Sequence, residues 1–150
     1  MKYFISIALL MTVTNSIAQT YVQDLEHLFT AEEVKRIDSV LSRYHQQTGN
    51  YLLLTTDSTN IDLADYKNPL FAKFWPDESS GNAVLMLIMC RTHSKIKIFI
   101  SKPLTVYFQL PQLAEMLNEG LPYFKEKKRE QAVMAVFQKA IQKLDALPKF

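Results

Sequence analysis

A chain of 150 residues, 48% hydrophobic and 21% charged, has room for one globular domain with its own core, and this balance excludes a disordered or fibrous protein. The formal charge of +2 excludes a strong bulk preference for polyanions such as nucleic acid, and the one dense basic run, 125–129, reads as a solvated helix entrance. A single cysteine, Cys90, excludes an internal disulfide and reads as a small core residue at the end of an apolar strand.

Residues 1–18 have the pattern of a signal peptide: Lys2, a short apolar stretch over 4–13, and the small residues Ser16 and Ala18 flanking Ile17. Cleavage after Ala18 leaves a domain over 19–150 and predicts a periplasmic or secreted protein. Without Lys2 that domain has 16 basic against 15 acidic residues. The apolar stretch is shorter than the ~20 residues that a membrane span needs. No cysteine stands at the end of the signal for acylation, so no stable membrane anchor is expected.

The elements then follow in order. Thr30-Ala31-Glu32-Glu33 forms a capping box, with Phe29 and Val34 at the positions of a hydrophobic staple. It predicts a helix whose stripe, Val34, Ile37, Leu41 and Tyr44, runs to a stop at Gly49. Residues 51–56 are a continuous run consistent with a buried strand, ending in polar Asp57, Ser58, Thr59 and Asn60. A helix interrupted by Pro69 is expected over 61–75, then a turn-rich loop over 76–82. Residues 84–90 have no polar side chain, as in a strand covered on both faces, whereas 95–100 alternates and belongs nearer an edge. The two make a hairpin through Arg91, Thr92, His93 and Ser94. Beyond Pro103 and Pro111, a short helix over 113–117 closed by Gly120 is expected, then a long helix over 128–147 with Val133, Val136, Phe137, Ile141 and Leu144 on one face. This order predicts an α/β fold: a three-layer α/β/α sandwich around a sheet of about four strands.

Val22-Gln23-Asp24, Leu28, Thr30, Glu32-Glu33, Leu41 and Thr48-Gly49 before Leu52-Leu53-Leu54-Thr55 resemble the opening of the TPM domain, a family named for thylakoid lumen, photosystem repair and nematode membrane proteins. Asn82-Ala83-Val84-Leu85 is similar to the family's Asp-Asn-Gly-Val-Leu, and Pro122-Tyr123-Phe124-Lys125 to its late Pro-x-Phe-Arg segment. The resemblance implies an extracytoplasmic α/β/α sandwich and, for some members, an acidic cluster that binds calcium and is linked to phosphatase activity. The chain departs from the pattern where that chemistry would sit. Gly81 stands in place of an aspartate, Arg91-Thr92-His93-Ser94-Lys95 replaces a shorter Asp-Arg-Lys turn, Ser101-Lys102-Pro103-Leu104-Thr105 replaces a Gly-x-Gly-Leu-Glu element, and Gln109-Leu110 replaces Thr-Asp. Calcium takes about six to eight oxygens, so these losses leave few ligands for it.

Asp57, Asp62 and Asp65 fall where α/β folds often bind ligands, at the end of a strand and the start of the next helix, and are the candidate metal ligands. Capping of that helix accounts for them as well. The histidines His27, His45 and His93 form no recognised zinc motif, and no nucleophile motif or phosphate-cradling loop is visible. Two functions follow. The preferred one is a non-catalytic binding or accessory module of the cell envelope, taking a protein or peptide and no cofactor. The alternative is a metal-dependent phosphatase that uses Asp24, Asp57, Asn82 and Arg91, with calcium as its ion.

Overall fold

The computed structural model describes residues 20–58 and 83–148. The expected signal peptide, the helix over 61–75 and the loop over 76–82 lie outside the described residues, as do Asp62, Asp65 and Asn82. The order is β1 (Val22–Asp24), α1 (Ala31–Thr48), β2 (Tyr51–Thr56), β3 (Val84–Cys90), β4 (Lys95–Ile100), a 3-10 turn (Lys102–Leu104), α2 (Leu110–Lys125) and α3 (Arg129–Asp145).

Helix α1 starts and stops where its sequence dictates. The Thr30 hydroxyl accepts from the Glu33 amide at 3.2 Å while the Glu33 carboxylate accepts from the Thr30 amide at 2.8 Å. Gly49, at φ 77, turns the chain out of the helix, and its amide donates to the His45 carbonyl at 2.7 Å. Ile37, Leu41 and Tyr44 are the buried face.

The four strands lie in the order β1-β2-β3-β4, the first three parallel and β4 antiparallel to β3. Every residue of β2 and β3 is buried, so both faces of these strands are covered, as their uninterrupted apolar runs require. β4 lies at the edge with Ile98 as its one buried side chain. β1, at the other edge, was not among the expected strands. Its three residues, Val-Gln-Asp, are too few to show a period and are held by pairing with 54–56.

Helix α2 overturns the expectation of a short helix over 113–117 closed by Gly120. It runs from Leu110 to Lys125 and contains Gly120 in its interior. Pro111 is tolerated because the first turn has no intrahelical use for its missing amide. Gly120 answers a close helix crossing instead of a stop: a Cβ there would lie 2.8 Å from the Ala132 carbonyl oxygen and 2.8 Å from Val136 Cγ2 of α3. Helix α3 buries Ala132, Val133, Val136, Phe137, Ala140 and Leu144.

Ion pairs tie the helices on the outside. Lys143 and Lys139 of α3 reach Glu115 of α2 at 2.7 and 3.1 Å. Between α1 and α3, Arg36 makes a two-pronged contact with Glu130, Nε to Oε1 at 2.6 Å and Nη2 to Oε2 at 2.9 Å, across a cleft lined by Val40 and Met134. The hydrogen bond from Arg36 holds the Glu130 carboxyl below the usual carboxylate range. A lowered folded-state pKa stabilises the protein above the ordinary carboxylate range, and that contribution is lost as pH falls through the lowered value. Glu130→Gln is therefore expected to reduce the thermal midpoint modestly at neutral pH and to match the wild type once pH is below both values. Melts across that range check it, and a deficit unchanged in acid contradicts it.

Candidate functional site

Three parallel strands that stop in step leave their carboxyl ends on one side of the molecule, the place where open α/β sheets bind ligands. β1 stops at Asp24, β2 at Thr56 and β3 at Cys90, and the register pairs Asp24 with Thr56 and Thr56 with Met89. A cleft of about 470 Å³ opens beside these ends, lined by Leu25, Glu26, Ser58, Arg91 and Thr92.

Asp24 builds the loop after β1. Its carboxylate accepts from the Leu28 amide at 3.0 Å, the Phe29 amide at 2.9 Å and the Thr56 hydroxyl. An aspartate at a strand end folds the chain back by taking amides a few residues on, which then delivers Phe29 and Thr30 to the start of α1. The Thr56 hydroxyl in turn accepts from the Glu26 amide at 3.0 Å, and the Thr56 carbonyl from the Leu25 amide at 3.1 Å. Within this mesh His27 takes φ 51, a left-handed conformation uncommon for residues other than glycine.

Glu26 spans the site. Its carboxylate accepts from the Arg91 amide at 2.8 Å, the Thr92 hydroxyl at 3.0 Å and the Thr92 amide at 3.4 Å, which fixes the hairpin turn against the β1–α1 loop. Asp57, half-buried just past β2, donates its amide to the Met89 carbonyl at 3.0 Å. Arg91 is exposed on the rim of the cleft.

Of the four expected catalytic residues, Asp24, Asp57 and Arg91 come to one end of the sheet, while Asn82 is outside the described residues. Its neighbour Ala83 precedes β3 at the opposite end, where its carbonyl accepts from Tyr51 at 2.8 Å. Leu110, at the place of a family acid, opens α2, whose last turn brings Phe124 beside Cys90 and Arg91, so Leu110 stands about 21 Å from that turn along the helix. The carboxylates of Asp24 and Glu26 each already accept from three protein donors, whereas calcium needs about six to eight convergent oxygens. Among the described residues no three His, Cys, Asp or Glu groups gather as a metal site.

Two contributors were missed in the sequence. Glu26 carries no local signal, since its partners are 65 and 66 residues away. Cys90 and His93, three apart, do have a helical or turn spacing that the reading of the histidines passed over, and the turn brings Sγ and Nδ1 to 3.2 Å. The thiol is buried, and this pair has no third group of metal-ligating type beside it among the described residues.

The TPM domain model matches residues 22–143. No protein of curated function matches the chain. Solved structures with the same fold include the BA42 protein of the psychrophilic bacterium Bizionia argentinensis, with TM-score 0.67 and 18% identity over 84% of this chain and 88% of that one. The N-terminal domain of a P. gingivalis protein gives 0.65 and 14% over 87% and 85%. The N-terminal domain of the cg2496 protein of Corynebacterium glutamicum gives 0.55 and 10% over 86% and 82%. At these identities the likeness is one of fold.

Proposed function

Because the chain belongs to the TPM domain family, we propose that it is a non-catalytic binding module of the cell envelope, exported behind residues 1–18 and acting on a protein or peptide. The observation that carries this reading is the use made of the acids at the strand ends. Asp24 and Glu26 stand at the carboxyl ends of the strands, where open α/β sheets bind ligands, and both give their oxygens to amides and hydroxyls of their own chain. Phosphoryl transfer also needs cationic groups aimed at the developing charge. Arg91 alone lines the cleft as a cation among the described residues.

Hydrolysis of p-nitrophenyl phosphate by the mature chain, with millimolar calcium or magnesium, tests it. No turnover above buffer is expected. Turnover that disappears in Asp57→Asn and Arg91→Ala, with both variants folded, would overturn the reading in favour of a phosphatase.

A further inference from the structure

A second pair of cavities opens on the other side of the hairpin turn. One of about 280 Å³ is lined by Arg91, Ser94, Lys95, Phe124 and Arg129 among others. Another of about 310 Å³ is lined by Ile96, Ala114, Leu117, Leu121 and Phe124 among others. They share Ser94, Ile96 and Phe124 and so form one groove between β4 and α2.

One wall is the edge of the sheet. The Ser101 amide donates to the Val84 carbonyl at 2.8 Å and the Asp57 amide to the Met89 carbonyl at 3.0 Å, so Val84 turns its backbone groups toward β4 and Met89 toward β2. In an antiparallel pair this direction alternates along the strand, and Ile96, paired with Met89, therefore directs its own amide and carbonyl away from the sheet. β4 is the last strand in order among the described residues. The other wall is a stripe on α2 at helical spacing, Ala114, Leu117 and Leu121, of which Leu121 is 42% exposed.

Each feature specifies something of the occupant. An open strand edge takes an extended backbone, and an apolar helix stripe beside it takes that backbone's side chains. Arg91 and Arg129 line the hairpin end, and no carboxylate lines either cavity among the described residues. Resting on the binding-module reading, we propose that this groove takes the extended C-terminal segment of a partner polypeptide. Its strand runs antiparallel to β4 and exchanges backbone hydrogen bonds with Ile96. An apolar side chain lies on Leu117, Leu121 and Phe124, and the terminal carboxylate meets the cations of Arg91 and Arg129.

The test is selection from random heptapeptides displayed with free C-termini, using the mature full chain, followed by titration of a selected synthetic peptide. Expected are apolar residues at alternate positions near the end, and a roughly tenfold or greater loss of affinity on amidating the terminus, in Arg129→Glu and in Leu121→Glu, but not in Arg36→Ala. Leu121 and Arg129 both touch solvent, and unchanged melting of the variants keeps the comparison fair. Selected peptides that bind equally well when amidated or to both groove variants overturn the groove while leaving the binding-module reading standing. A library that enriches nothing overturns the groove too, and phosphatase turnover, measured separately, is what would overturn the reading beneath it. A concentration-dependent dimer abolished by Leu121→Glu reassigns the groove to a second copy and overturns the proposal.

Discussion

Leu87→Ala is expected to lower the unfolding free energy by about 2 to 5 kcal/mol, which is a large part of what a domain of this size has to lose. Leu87 is 0% exposed in the middle of β3, paired with Leu54 on one side and Ile98 on the other. Its neighbours are backbone-paired strands that cannot collapse into the space, so the lost transfer energy is joined by the cost of the cavity. Lys102→Ala, at an exposed position just past β4, should change stability by no more than about 0.5 kcal/mol. Denaturant melts of the two variants decide it. A Leu87 variant as stable as the Lys102 variant would mean that the sheet is not covered on both faces.

The second large effect is expected at Asp24. Replacing it by alanine removes the acceptor of the Leu28 and Phe29 amides and of the Thr56 hydroxyl at once. A buried donor left unpaired costs ~1 to 3 kcal/mol, and because Asp24 is only half-buried, water recovers part of the loss, leaving about 2 kcal/mol in all. Asp24→Asn keeps an acceptor oxygen and should recover part of the difference. The distinguishing outcome is in which property moves. A structural acid changes the melting point; an acid held for chemistry, removed from a site where its charge is a burden, would leave the melt unchanged or raise it.

Legibility in the sequence follows the range of each interaction. The capping box at Thr30, the left-handed Gly49 and the unbroken apolar runs over 51–56 and 84–90 are local, and each specifies its element without help from elsewhere. β1 is three residues whose strand character comes from pairing with β2, and no window of sequence contains that partner. Gly120 has the composition of a helix stop, but its φ is not left-handed: Gly49 alone among the described glycines has a positive φ, and Gly120 is fixed by the approach of Ala132 and Val136. At the site, Asp24 was legible through the family resemblance carried by Val22-Gln23-Asp24, but its role depended on which donors the fold brings to it. Glu26 was illegible for the same reason, its partners being across the sheet on the hairpin turn. The family resemblance supplied an expectation of acids, and the geometry shows Asp24, one of the candidates, and Glu26 beside it accepting from amides and hydroxyls of their own chain.

In the proposed binding module the acids at the carboxyl end of the sheet hold the fold together and do not hold an ion. The most direct test is the thermal midpoint of the mature chain in millimolar calcium against the same protein in chelator. An ion bound only by the folded state adds RT ln(1 + [L]/Kd), about 2.7 kcal/mol at a hundredfold excess over Kd, which moves a midpoint by several degrees. Coincident melts are expected. A calcium-dependent rise that is lost in Asp24→Asn or Asp57→Asn would contradict this, because those oxygens would then be ligands.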